Sequence, residues 1–154
     1  MLKINIVCVG NLKDKFYKEA SEEYLKMLSR FCNVKIIELK EYNYLNNIEE
    51  IKNKESESIL QNIKGYAILC DINAEIISSE NLAKTIQDLT NTNSEISFII
   101  GGSNGVSQSV KEKVNQRISF GKMTFPHRLF RVMLLEQLYR AQTIINNTNY
   151  HKWE

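Results

Sequence analysis

The sequence has one proline and only six glycines among its 154 residues. That scarcity excludes a collagen-like chain, and 43% hydrophobic with 25% charged residues excludes a disordered one. No apolar run approaches the roughly 18 residues that cross a bilayer, and no small-residue cleavage site follows the apolar N-terminal stretch. Length and composition predict one globular domain over residues 1–154, cytoplasmic, with no targeting segment and no membrane partner.

Cysteine and histidine are also scarce. Cys8, Cys32 and Cys70 form no CxxC pair, and an odd number without a signal peptide argues against a disulfide framework. We expect them to be small buried hydrophobes. The two histidines, His127 and His151, are too few and too far apart to build a zinc site, so we expect no metal.

The charges are unevenly distributed along the chain. Residues 1–100 carry 12 Lys and Arg against 15 Asp and Glu, a net charge of −3, whereas residues 101–154 carry 8 against 3, a net charge of +5. A basic excess in one part of a chain favours a polyanionic partner. The alternative is that these charges only solvate exposed helix faces.

Hydrophobic periodicity predicts strands and helices in alternation. Apolar runs predict strands at about residues 2–9, 34–39, 66–72, 95–100 and 117–120. Spacings of three and four residues predict helices at about 14–31, 48–63, 79–89, 107–114 and 126–146. This order predicts an α/β fold, with a mainly parallel sheet covered by helices on both faces.

Glycine is concentrated after the fourth predicted strand. Gly10 stands alone after the first strand, so the three-glycine turn of a dinucleotide-binding fold is missing from the sequence. Gly101, Gly102 and Gly105 follow strand four, at the end of the sheet where open parallel sheets bind ligands. This loop either brings backbone amides to a polar or anionic ligand group or makes a tight turn into the next helix.

Residues 119–127 form an irregular segment before the last helix. Phe120, Met123 and Phe125 either wall an apolar pocket for an adenine ring or belong to an ordinary buried loop. His127, in the first helical turn, is either a catalytic group or a surface or capping residue.

The last predicted helix is apolar around nearly its whole circumference, from Leu129 to Ala141. Such a helix is buried on all sides, and in a domain this small a second copy is the simplest cover, which predicts an isologous homodimer. Arg128, Arg131 and Arg140 interrupt the apolar surface. They are either ion-paired at the interface or exposed as phosphate contacts.

Several linked segments carry more information than one glycine turn. They are the glycine loop at 101–105, the Lys-Met-Thr-Phe-Pro-His run at 122–127, Arg131-Val132, Glu136-Gln137, Tyr139-Arg140-Ala141 and Tyr150-His151-Lys152. In this order they resemble the RlmH family of SPOUT-class methyltransferases, over the full chain. The resemblance implies a C-terminal trefoil knot, S-adenosylmethionine as methyl donor, and N3 of a pseudouridine in 23S rRNA as acceptor, in the assembled ribosome.

The resemblance also implies roles for individual residues. Cofactor contacts fall on Cys70, Gly101, Phe120, Gly121, Lys122, Met123, Thr124 and Phe125. Cys70 replaces the usual leucine of the family, which matters only if its side chain contacts the adenine. The N3 proton needs a base, for which His127 is the best-placed candidate, and Arg131 is an alternative stabiliser of the anionic imide. The candidate RNA contacts are Arg128, Arg140, Tyr150, His151 and Lys152.

Two rival interpretations involve no methyl transfer. One is a non-enzymatic RNA-binding or ribosome-binding dimer, which the basic C-terminal third supports. The other is a purely structural dimer built around the last helix.

Overall fold

The computed structural model describes residues 1–152. Within that range, five strands and five helices alternate: β1 (Lys3–Val9), α1 (Lys15–Leu28), β2 (Asn33–Leu39), α2 (Ile48–Gln61), β3 (Tyr66–Cys70), α3 (Ser79–Thr90), β4 (Glu95–Ile100), α4 (Gln108–Lys113), β5 (Gln116–Ile118) and α5 (His127–Ile145). The predicted order is confirmed, and the bounds differ from prediction by a few residues.

The strands form one sheet in the order β2-β1-β4-β3-β5. Each pair of neighbouring strands is parallel, so each connection is a long crossover that contains a helix. The predicted parallel α/β fold is therefore confirmed. β5 is a short edge strand, and its position beside β3 brings the end of β5 next to the ends of β3 and β4.

Side chains of β1 alternate between two apolar layers. Ile4 and Ile6 lie in the layer formed with α1, α3 and α5, whereas Val7 and Val9 lie in the layer formed with α2 and α4. Since both faces are covered, the central strands β1 and β4 are almost entirely buried and mostly apolar. Helices cover both faces of the sheet, as predicted.

Helix α5 is buried largely by its own chain. Leu134, Leu135 and Leu138 are fully buried, and the helix packs against α1 and α3. Phe130 and Met133 remain half-exposed. Most of α5 is therefore buried without a second copy. The homodimer stays a prediction, and it concerns only the half-exposed side of α5.

The segment between β5 and α5 crosses the end of the sheet. β5 is at one edge, but Arg128, at the start of α5, donates a hydrogen bond from Nε to the Asn11 carbonyl after β1 at 2.8 Å. The chain thus passes over the carboxyl ends of β3 and β4 before α5 begins. The trefoil knot expected from the resemblance is consistent with this path and stays a prediction.

Arg131 is a buried arginine in the second turn of α5. Its side chain is 2% exposed. Nη1 donates to Glu38 Oε2 on β2 at 2.5 Å, and Nη2 donates to the Gly10 carbonyl at 2.8 Å. A guanidinium in the interior is costly unless it is paired. These contacts therefore fix α5 against the carboxyl ends of β1 and β2.

Replacing Glu38 tests how much this pair contributes to stability. Glu38→Gln keeps the shape of the side chain but leaves the Arg131 charge without its counter-ion. We expect a loss of about 2 kcal/mol in the free energy of unfolding, below the value for a fully buried pair because Glu38 is 41% exposed. The measurement is urea denaturation followed by circular dichroism.

Glu19→Gln is the matched control. Glu19 pairs with Lys15 at 3.7 Å, and both side chains are mostly exposed. That change should alter the free energy of unfolding by less than about 0.5 kcal/mol. An equally small effect of Glu38→Gln would contradict the role assigned to the buried pair.

Candidate active site

A cleft of about 890 Å³ opens at the carboxyl ends of β3, β4 and β5. Its walls come mainly from residues 69–73, 100–106, 118–121 and 123–128. At this edge of the sheet, the neighbouring strands β4, β3 and β5 end and continue into loops. This is the place where open parallel sheets hold ligands.

Most of the predicted cofactor residues meet in this cleft. Seven of the eight line it: Cys70, Gly101, Phe120, Gly121, Met123, Thr124 and Phe125. Lys122 is exposed and is not part of the wall. Residues that are far apart in sequence are therefore brought together, because the strands that precede them are neighbours in the sheet.

The glycine loop is tightly packed against Val106 and Glu55. A Cβ on Gly101 would lie 2.8 Å from Val106 Cγ1, and one on Gly102 would lie 2.8 Å from Glu55 Oε1. The end of the loop is fixed to α2, since the Ser107 amide donates to Ser56 Oγ at 2.9 Å. Space, and not an unusual backbone angle, therefore requires glycine at both positions.

The segment after β5 supplies the apolar wall. The rings of Phe120 and Phe130 pack with their centroids 4.8 Å apart, and Phe125 is half-buried beside them. Met123 is 77% exposed. Ser119 Oγ donates to the Gly121 carbonyl at 2.9 Å and fixes the turn that follows β5. The wall thus combines rigid aromatic surface with one exposed, flexible side chain.

His127 lies on the cleft wall and is half-buried. Arg128 Nη1 lies 3.2 Å from its Nε2, and Arg128 also pairs with Glu41. Because arginine only donates, Nε2 accepts this bond and the proton of the neutral ring is on Nδ1. Burial, followed by the Arg128 charge, lowers the pKa of His127 below its usual 6.5. The imidazole is therefore neutral at pH 7.

Arg131 does not reach the cleft. Its guanidinium is buried against Glu38 and Gly10, so two expectations for Arg131 are wrong: an exposed phosphate contact and a stabiliser of the anionic imide. Its ion pair forms within one chain and not across an interface. The sequence pattern missed this because β2 and α5 are 93 residues apart at this contact.

The remaining candidate RNA residues form a second cluster at the other end of α5. Arg140 Nη2 and the Tyr150 hydroxyl both donate to Glu136 Oε2 at 2.8 Å. His151 lies 3.1 Å from Arg140 through Nδ1, and Lys152 is exposed. Arg128 and Arg140 are 12 residues apart, or about 18 Å along a helix. Within one chain, this cluster does not join the cleft.

The cysteines are free thiols with raised pKa values. Burial raises the pKa of Cys8 and Cys32 to about 11 and that of Cys70, on the cleft wall, to about 12. Thiols of this kind are protonated at neutral pH and are poor nucleophiles. Among residues 1–152, no group of three His, Cys, Asp or Glu side chains could hold a metal ion. In the same range, no helix is long and apolar enough to cross a membrane.

Sequence reasoning missed the part of the site that comes from the β2–α2 connection. Glu41 and Asn43 line the cleft, although residues 43–47 show only a polar stretch without periodicity. Glu55 is 1% exposed and lies beneath Gly102. A signal existed for Glu55, since it is four residues from both Ile51 and Ile59 and so shares their buried stripe.

Comparison with known proteins identifies the family of the chain. Residues 2–151 match a family model described as predicted SPOUT methyltransferase. Ribosomal RNA large subunit methyltransferase H of Caldicellulosiruptor saccharolyticus is 45% identical, covering 97% of this chain and 99% of its own. The protein of the same name from Fusobacterium nucleatum is 47% identical, covering 98% and 100%.

A solved structure supports the fold. The structure of a probable methylase family protein from Haemophilus influenzae aligns with a TM-score of 0.51, over 97% of this chain and 70% of that one. At 10% sequence identity, this likeness concerns the fold alone. With the family model and the close relatives, the conclusion is that the chain belongs to the SPOUT methyltransferase family, within the group of ribosomal RNA large subunit methyltransferase H proteins.

Proposed function

We propose that this chain transfers a methyl group from S-adenosylmethionine to N3 of a pseudouridine in 23S rRNA, acting on assembled ribosomes in the cytoplasm. The observation that carries the proposal is the cleft, where the ends of three neighbouring strands bring seven expected cofactor residues together. The names of the relatives point to ribosomal RNA as the substrate. A non-enzymatic RNA-binding or structural dimer would have no need of such a cleft.

The residues of the cleft fit this cofactor. The glycine loop lines the cleft with backbone that can meet polar groups, and Phe120 with Phe130 offers apolar surface for an adenine ring. The volume of about 890 Å³ is within the range of small-molecule sites. When bound, S-adenosylmethionine supplies an electrophilic methyl group on a positively charged sulfur. Holding the acceptor nitrogen in line with that methyl group accounts for much of the rate enhancement.

The acceptor N3 carries a proton that must leave as the new N–C bond forms. We propose that His127, which is neutral and lies on the cleft wall, is the base that accepts this proton. Its Nε2 accepts a hydrogen bond from Arg128, so Arg128 must first move away. An RNA phosphate that draws Arg128 away from both Glu41 and His127 would release the imidazole.

Two copies complete the proposed enzyme. The side of α5 that bears Phe130 and Met133 is half-exposed, and it is the surface through which an isologous pair can form. The cluster around Arg140 lies about 18 Å along α5 from Arg128 and outside the cleft of its own chain. In a dimer with antiparallel α5 helices, that cluster can serve the cleft of the partner as an RNA contact.

Methyl transfer to ribosomes tests the function directly. Ribosomes from a strain that lacks the gene for this protein should accept labelled methyl from S-adenosylmethionine. Mass spectrometry of the 23S rRNA should then locate the label on N3 of one pseudouridine. Label on a different base would refute the acceptor, and ribosomes without label would refute the enzyme.

Gly101→Val tests the cofactor site. Its Cβ would lie 2.8 Å from Val106 Cγ1, and its methyl groups would crowd the cleft wall. We expect S-adenosylmethionine to bind at least tenfold more weakly in calorimetry, with the folded state checked by thermal melting. Ala20→Val, on α1, is the control and should bind normally. Wild-type affinity in folded Gly101→Val would exclude this loop from the site.

The pH dependence of turnover tests His127. Protonated imidazole cannot accept the N3 proton, so kcat/KM should fall as the pH drops through the pKa of His127. Burial lowers that pKa below 6.5, which places the midpoint of the acid limb below pH 6.5. His127→Ala should reduce turnover about 100-fold. A near-normal rate for that variant would remove His127 from the mechanism.

A further inference from the structure

Residues 40–44, which we call the tyrosine segment, connect β2 to α2 beside the cleft. Three consecutive residues of the segment are held by three different parts of the protein. Glu41 accepts from Arg128 of α5, the Tyr42 amide donates to Glu55 Oε2 of α2 at 3.0 Å, and Asn43 Oδ1 accepts from Asn104 of the glycine loop at 3.3 Å. The segment is therefore fixed in place although it has no regular secondary structure.

The tyrosine segment exposes an aromatic surface with a cation beside it. The rings of Tyr42 and Tyr44 have centroids 5.9 Å apart, and Lys40 Nζ lies 5.2 Å and 5.3 Å from them. Tyr44 is 64% exposed. Three contacts thus anchor a segment in which the Tyr44 side chain is mostly exposed to water.

Asn43 places this surface at the mouth of the cleft. It lines the cleft, and Tyr44 is the next residue, with its Cα about 3.8 Å further along the chain. A ligand on the Tyr44 ring therefore lies near the mouth of the cleft. Of the next three exposed residues, Asn46 and Asn47 are polar and Ile48, at the start of α2, is apolar, so the patch is mixed, unlike the apolar core of a protein interface.

We propose that Tyr44, supported by Tyr42 and Lys40, is a stacking site for an unpaired nucleotide of the RNA substrate. Unpaired bases stack on aromatic side chains, and the lysine ammonium attracts the adjacent phosphate. Because the segment is anchored before RNA arrives, little ordering cost opposes binding. The identity of the RNA rests on the proposed function, whereas the stacking site can be tested by binding alone.

The test compares Tyr44→Ala with Tyr44→Phe. Labelled protein is titrated with ribosomes that lack the methyl group, and Kd is measured without any turnover. Tyr44→Ala should raise Kd about tenfold, and Tyr44→Phe, which keeps the ring, should stay within about twofold of wild type. Phe16→Ala is the matched control, since Phe16 is also 64% exposed but lies on α1. The affinity for S-adenosylmethionine should be unchanged in all three variants.

Each outcome decides the proposal. An unchanged Kd for Tyr44→Ala overturns it, as does an equal loss in Tyr44→Phe, which would point to the hydroxyl group. Failure of the wild type to bind ribosomes overturns it as well. If the wild type binds and Tyr44→Ala weakens binding, but no methyl is transferred, the stacking site stands and the proposed function fails.

Discussion

The buried guanidinium of Arg131 determines where the N-terminal end of α5 lies. It pairs with Glu38 at the end of β2 and with the carbonyl of Gly10 after β1. One turn earlier in the helix, His127 and Arg128 are thereby held against the same end of the sheet. Sliding the helix along its axis would take the guanidinium away from Glu38 and Gly10 and leave a buried charge unpaired. The orientation of His127 in the cleft depends on this pair.

One buried side chain, Glu55, lies between the tyrosine segment and the glycine loop. Glu55 accepts from the Tyr42 amide and underlies Gly102, so one buried carboxylate touches both the tyrosine segment and the glycine loop. Burial raises the pKa of Glu55, which favours a neutral acid in this position. The surface proposed for RNA and the loop proposed for the cofactor therefore have a common support.

The sequence predicts the regular elements well because each is a local pattern. β4 and the glycines after it were predicted at their observed positions, since an apolar run followed by Gly101 and Gly102 leaves little choice. The tyrosine segment shows the limit of such reasoning. It is held by contacts to residues 13, 61 and 87 positions away, and no local pattern contains that information. Arg131 was missed for the same reason, because its burial depends on a strand 93 residues distant.

The charge asymmetry acquires a different meaning in the folded chain. Within residues 1–152, the arginines of the basic third are all paired: Arg117 with Asp71, Arg128 with Glu41, Arg131 with Glu38 and Arg140 with Glu136. Three of those acids, Asp71, Glu41 and Glu38, belong to residues 1–100. Acidic side chains of the first part of the chain therefore neutralise arginines of the basic third. A simple basic patch therefore does not explain how RNA would bind. In the proposed mechanism, an RNA phosphate competes with Glu41 for Arg128. The same movement of Arg128 breaks its contact with His127, so His127 can act as a base only when RNA is bound.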